Sequence, residues 1–238
     1  MEQQFQYYAF ISYKREDEKW AKWLQDRLRW YKLPSKLCRQ ITRLPKKVWP
    51  VFRDNTDLDS GRLEENIRHE LERSHYLIVI CSPEAARSPW VGKEVKYFAT
   101  LHGADKIIPF VVSGIPYSND IETECIHEQI KAISQEELLA INVREEGIGS
   151  FAMKKKRAFI RVVARLLDIK FNTLWQPYER ILRIRKWSTG IGVVLFLFVL
   201  FILWDYYRTK NEYFADYVDR WGIPEGVVEL SAEQVKKR

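Results

Sequence analysis

Cysteine is scarce and scattered. The 238 residues hold three, Cys38, Cys81 and Cys125, in no CxxC or Cys/His spacing. That pattern excludes a zinc ribbon and a disulfide framework and leaves three reduced thiols, with Cys81 inside an apolar run. Glycine-rich phosphate loops are also missing, since neither GxGxxG nor a Walker sequence occurs. No Rossmann-type cofactor is expected, and no resident metal. A cleavable leader is not expected either. Residues 1–4 carry no basic segment, and the apolar stretch at 7–13 is too short for a leader core, so the first domain is expected to stay in the cytoplasm. RNA-binding signatures and aromatic-interleaved basic stripes are lacking in that domain, which leaves nucleic acid out of the expected partners.

What is present supports one packed core with additions. Hydrophobic residues make up 46% of the chain and charged residues 30%, a balance that excludes a polytopic membrane protein. The net charge of +7 is uneven: residues 151–210 hold 13 Lys/Arg against 3 Asp/Glu, a net of +10, so the rest sums to −3. This basic excess adjoins a long apolar run, which points to an anionic membrane surface.

Apolar runs at residues 7–12, 76–81 and 107–112 read as buried strands. A shorter run at 48–52 contains Pro50, which demotes it to a sheet edge. Residues 138–143 are a further strand candidate. Between them lie helical stripes: Trp20, Trp23, Leu24, Leu28 and Tyr31; Leu63, Ile67 and Leu71; Val91, Val95 and Phe98; a segment near 125–133; and Phe159, Val162, Val163, Leu166 and Leu167. Continuous apolar strands alternating with amphipathic helices predict a parallel sheet covered on both faces. The expected fold is α/β, a flavodoxin-like, doubly wound, five-stranded parallel sheet over residues 1–170. Ligands of such sheets bind outside the carboxyl ends of the strands. The segment 32–47 is a longer and more basic connection than usual.

Residues 187–204 contain no charge. Eighteen residues at 1.5 Å per residue span about 27 Å, close to the ~30 Å hydrocarbon thickness of a bilayer. Trp187, Trp204, Tyr206 and Tyr207 stand where interfacial aromatics belong, and Arg180, Arg183, Arg185 and Lys186 crowd the N-terminal flank. The reading is a basic juxtamembrane linker at 171–186, one transmembrane helix at 187–204 and a short extracytoplasmic tail at 205–238. The protein is then a single-pass protein of the inner (plasma) membrane, touching lipid, with its N-terminal domain in the cytoplasm.

Five blocks, in order, carry a family resemblance. They are Ala9 to Arg15 (AFISYKR); Val51 to Asp54 with Leu58 to Glu64 (VFRD, LDSGRLE); Ile78 to Pro83 (IVICSP); Ser88 to Glu94 (SPWVGKE); and Ile107 to Phe110 (IIPF). Together they resemble the TIR (Toll/interleukin-1 receptor) family, in particular its bacterial, NAD-cleaving branch, over roughly residues 5–170. In that branch a Trp is followed four residues later by a catalytic Glu, and Trp90 and Glu94 match. Positions i and i+4 of a helix are neighbours, so ring and carboxylate can face one pocket. The resemblance implies Glu94 as the catalytic residue. It implies Tyr13, Lys14, Arg15, Arg53, Asp54, Ser82 and Trp90 as substrate-binding, and a loop containing Leu58 and Gly61 as an assembly element. Gly61 is expected in a turn with positive φ.

The implied activity is that of an NAD+ hydrolase cleaving the nicotinamide–ribose bond, with NAD+ as substrate and homo-oligomers formed through TIR–TIR contacts, in bacterial antiviral defence or signalling. Two other functions stay open on the sequence: a non-enzymatic signalling adaptor acting by TIR–TIR contact, and a membrane-disrupting effector that uses the domain as a sensor. On its own residues Glu94 also reads as an ordinary solvated helix carboxylate, with Lys93 and Lys96 beside it.

Overall fold

The computed structural model describes residues 5–41, 44–45, 47–53, 61–133, 140–144 and 149–222. The chain divides into two compact units, Met1–Pro177 and Tyr178–Arg238.

The first unit is built on five parallel strands: β1 (Tyr7–Ser12), β2 (Val51–Arg53), β3 (Ser74–Cys81), β4 (Ile107–Val111) and β5 (Ile141–Asn142). Their order is β2-β1-β3-β4-β5, the doubly wound arrangement of the flavodoxin type. Strands β1, β3 and β4 are buried on both faces because their sequences are apolar almost without interruption. β2, shortened by Pro50, occupies an edge. Register follows the side-chain pattern, with Ile11 opposite Arg53 on one side and Ile78 on the other.

Helices cover both faces. On one lie α1 (Glu18–Trp30) and α7 (Phe151–Leu166), where Trp23 stacks 6.4 Å from Phe110 and meets Phe159 edge-on at 6.2 Å. On the other lie α3 (Gly61–Glu72), α5 (Pro89–His102) and α6 (Glu128–Ile133), whose Ile67, Leu71, Val95, Phe98 and Ile130 pack on Phe10, Leu77 and Val79. The long connection after α1 is not structureless, since it contains α2 (Ser35–Gln40). A short helix, α4 (Pro83–Ala86), follows β3. All three cysteines are free thiols, and Cys81 and Cys125 are buried.

The final helix, α8 (Phe171–Trp221), begins in the first unit, where Phe171 and Trp175 stack 5.7 Å apart beneath the Arg157 guanidinium. The stretch expected as a linker is therefore helical, as is the tail as far as Trp221. Within the second unit, Ile191–Lys210 forms a helix long and apolar enough to cross a membrane, with a mean hydropathy of 1.8 and none of it buried against protein.

Candidate functional site

Helix α5 carries the residues that matter most. It starts at Pro89, whose fixed φ suits the first helical position and whose missing N–H is not needed there. Trp90 follows, and Glu94 comes one turn later. Val91, Val95 and Phe98 are all buried. Glu94, three residues after Val91 and four before Phe98, shares their stripe and is only 9% exposed. It is thus not the solvated surface carboxylate that its lysine neighbours suggest. The first turns of α5 are held from beneath by His127. Its ring lies so close to Gly92 that a Cβ there would come within 2.5 Å of Cε1. The His127 Nδ1 accepts from the Gln129 amide at 3.0 Å, and burial pushes the imidazole pKa down.

Glu94 is met by the end of the central strand. Period-two alternation puts Ser12 on the same face of the sheet as Phe10, toward α5. The Ser12 hydroxyl, 1% exposed, donates a hydrogen bond to Glu94 Oε2. Glu94 also lines a cavity of about 310 Å³ between α3 and α5. Ile67, Leu71, Trp90 and Tyr97 give it apolar walls, and Arg68, Lys93 and Lys96 give it cations. Trp90 is 39% exposed, and the Lys93 ammonium lies 4.7 Å from the centre of its ring. The cavity therefore joins one buried carboxylate, flat aromatic surface and positive charge, a combination suited to an aromatic ligand bearing anionic groups.

The loop after β1 is fixed on three sides. Ser12 binds Glu94 on α5. The Tyr13 hydroxyl accepts from Arg53 Nη1 at 3.0 Å, at the end of β2. Asp17 accepts from the Ser82 hydroxyl, at the end of β3. Lys14 and Arg15 lie between these anchors, Lys14 half-buried and Arg15 exposed at the start of a 3-10 turn, Arg15–Asp17. Burial pushes the Asp17 carboxyl up; the Ser82 hydrogen bond opposes this, and the charges of Glu84 and Glu16 add to the rise.

Of the residues singled out in the sequence, the structure brings Trp90 and Glu94 to one cavity. It does not bring Arg53 there. The Arg53 side chain shares the sheet face of Ile11 and α1, is 8% exposed, and is bonded to Gln25 at 3.1 Å and Glu18 at 3.3 Å as well as to Tyr13. Ser82 caps α4, accepting from the Ala85 amide at 3.1 Å while donating to Asp17, so its hydroxyl is committed in both directions. Gly61 is the first residue of α3. Asp54 and Leu58 lie outside the described residues. Among the described residues, no cluster of three or more His, Cys, Asp or Glu is placed to hold a metal. Sequence reasoning missed Ser12, Asp17 and the cavity cations. Ser12 was recoverable from alternation along β1, and the burial of Glu94 from its place on the apolar stripe.

Comparison with known proteins decides the family: residues 9–145 match the TIR domain. The chain belongs to the TIR family. A TIR relative from Actinoplanes sp., the NAD(+) hydrolase ApTIR, is 36% identical over 110 residues. That alignment covers 45% of this chain but 14% of the relative's length. The TIR domains of the activated Roq1 resistosome, which directly recognizes the pathogen effector XopQ, superpose with a TM-score of 0.44 at 14% identity. This covers 65% of the present chain and 98% of that one, at a similarity too low to bear on activity or assembly.

Proposed function

We propose that this TIR protein cleaves the bond between nicotinamide and ribose in NAD+. The observation that carries the reading is a buried Glu94 lining a cavity beside Trp90; the relative named as an NAD(+) hydrolase supports it. The bond to C1′ breaks with its electron pair leaving on neutral nicotinamide, so no general acid is needed. C1′ becomes cation-like, as in glycoside hydrolysis, and water adds there with loss of a proton. Glu94 stabilises the developing positive charge and holds the ribose. Trp90 gives the planar rings a wall, and Lys14 and Arg15, on the anchored loop, approach the pyrophosphate. NAD+ is consumed as substrate, with no resident cofactor.

The same proposal places the protein in the inner membrane through the helix containing Ile191–Lys210, with the TIR domain in the cytoplasm, serving bacterial defence or signalling. Homo-oligomers form through TIR–TIR contacts that include the segment 54–63, and confinement on the bilayer raises effective concentration. Proline tolerated at the first position of a helix makes Gly61→Pro a weak probe of that assembly. Specific activity against protein density on vesicles is the better one, and is expected to rise; a flat response overturns assembly-dependent activity.

The test of the activity is NAD+ turnover by the full chain in detergent or vesicles, compared with Glu94→Gln. Loss of turnover in the variant with unchanged thermal unfolding is expected; equal turnover removes Glu94 from the mechanism. High salt should leave the protein on membranes and detergent should release it. Release by salt alone overturns the anchor.

A further inference from the structure

We propose that Ser12 is a positioning residue for Glu94: its hydroxyl sets the plane of the buried carboxylate that lines the cavity. The inference rests on the reaction proposed above but concerns a residue that the family blocks did not single out for any role. Three observations carry it. Ser12 ends β1 and is paired there with Val79 of β3, so its backbone is held by the central strands of the sheet. Its hydroxyl is buried and donates to Glu94 Oε2. Glu94, in turn, rises from a helix fixed by Val91, Val95 and Phe98 in the core and by His127 against Gly92.

The chemistry follows from the freedom of a glutamate side chain. Packing of α5 fixes where its Cβ lies, but the terminal torsion of a carboxylate is broad and roughly two-fold. A donor held on a different element removes that freedom. Glu94 then meets the reacting ribose in one orientation rather than several. Preorganised charge of this kind acts where positive charge develops and needs no rearrangement during the step. A serine that merely satisfied a buried carboxylate would influence folding alone. A positioning serine influences the chemical step more than substrate binding.

The experiment measures kcat, KM and thermal unfolding for the full chain on vesicles, with Ser12→Ala, Ser12→Thr, Ser12→Cys, Glu94→Gln and the double variant Ser12→Ala with Glu94→Gln. Ser12→Ala is expected to lower kcat by about 10- to 100-fold, less than the ~10²–10³ lost with a donor that touches the reacting atoms, because Ser12 acts through Glu94. KM should change by less than about threefold, the split expected when an interaction acts in the transition state. Ser12→Thr keeps the hydroxyl and should recover most of kcat. Ser12→Cys, a weaker donor of similar size, should fall between and keeps the test open if alanine fails to fold. The double variant should be no slower than Glu94→Gln alone, because both changes remove one function. Wild-type kcat in Ser12→Ala or Ser12→Cys, with only a lower melting temperature, overturns the role of Ser12 while Glu94→Gln remains inactive. Wild-type turnover in Glu94→Gln overturns the underlying activity reading instead, and the positioning role with it.

Discussion

Two serines close two strands of this sheet, and each donates to a buried acid. Ser12, ending β1, meets Glu94; Ser82, following β3, meets Asp17. The pairs use the same groups yet differ in what surrounds them. Ser82 also accepts from the Ala85 amide and stands at the head of α4, so its pair closes a helix start against the loop after β1. Glu94 stands instead on the wall of a cavity with Trp90, Tyr97 and three cations. A serine hydrogen bond alone thus gives a buried carboxylate no chemical capacity; the space beside it must also admit a ligand.

This contrast is open to direct attack. The largest effect is expected from matched amides. Glu94→Gln should reduce NAD+ turnover by about 10²–10³-fold or more, as removal of one transition-state electrostatic contact does, whereas Asp17→Asn should leave turnover within a few-fold. Comparable losses in both would erase the distinction between the pairs. A smaller effect, on folding, is expected from Ser82→Ala. Loss of an N-cap hydroxyl costs about 0.5–2 kcal/mol, read as a lower midpoint in denaturant. Turnover measured well below that midpoint should persist, and its abolition would return Ser82 to the substrate.

The smallest effect is a pH dependence. The folded carboxyl of Asp17 is raised above its ordinary 3.8 by burial, so the folded state favours its protonated form. That contribution to stability is present below pH 3.8 and is lost as pH rises through the raised folded value. Asp17→Asn removes the titration. The melting temperature of the variant minus that of wild type should therefore increase with pH from that point, then level off. A difference independent of pH would show that the folded carboxyl of Asp17 is not raised.

The sheet was legible because parallel strands buried on both faces leave uninterrupted apolar runs, as in residues 76–81, and because Pro50 marks an edge. The Trp90–Glu94 spacing was legible as a motif. Its burial stayed open in the sequence because Lys93 and Lys96 suit a solvated carboxylate equally well, while Val91, Val95 and Phe98 define the face that Glu94 shares. The placement of Arg53 was not legible: it depends on which face of a three-residue strand meets α1, and Pro50 and the neighbouring segment give no alternation to settle that. Nor was Gly61. The run Leu58 to Gly61 has the composition of a turn, and nothing in it announces that the helix already starts at the glycine. The cavity between α3 and α5 is a product of packing between elements distant in sequence, so no local pattern encodes it.

The loop after β1, anchored by Ser12, Tyr13 and Asp17 to three different elements, has a thermodynamic consequence for whatever binds it. Fixing one residue's backbone costs about 1–2 kcal/mol in conformational entropy. For Lys14 and Arg15 much of that loss occurs when the domain folds, not when a ligand arrives. Binding need only immobilise two side chains, each about 0.5–1.5 kcal/mol. Loosening any one anchor would transfer part of the folding loss to the binding step, weakening affinity from a distance without removing a single contact to the ligand.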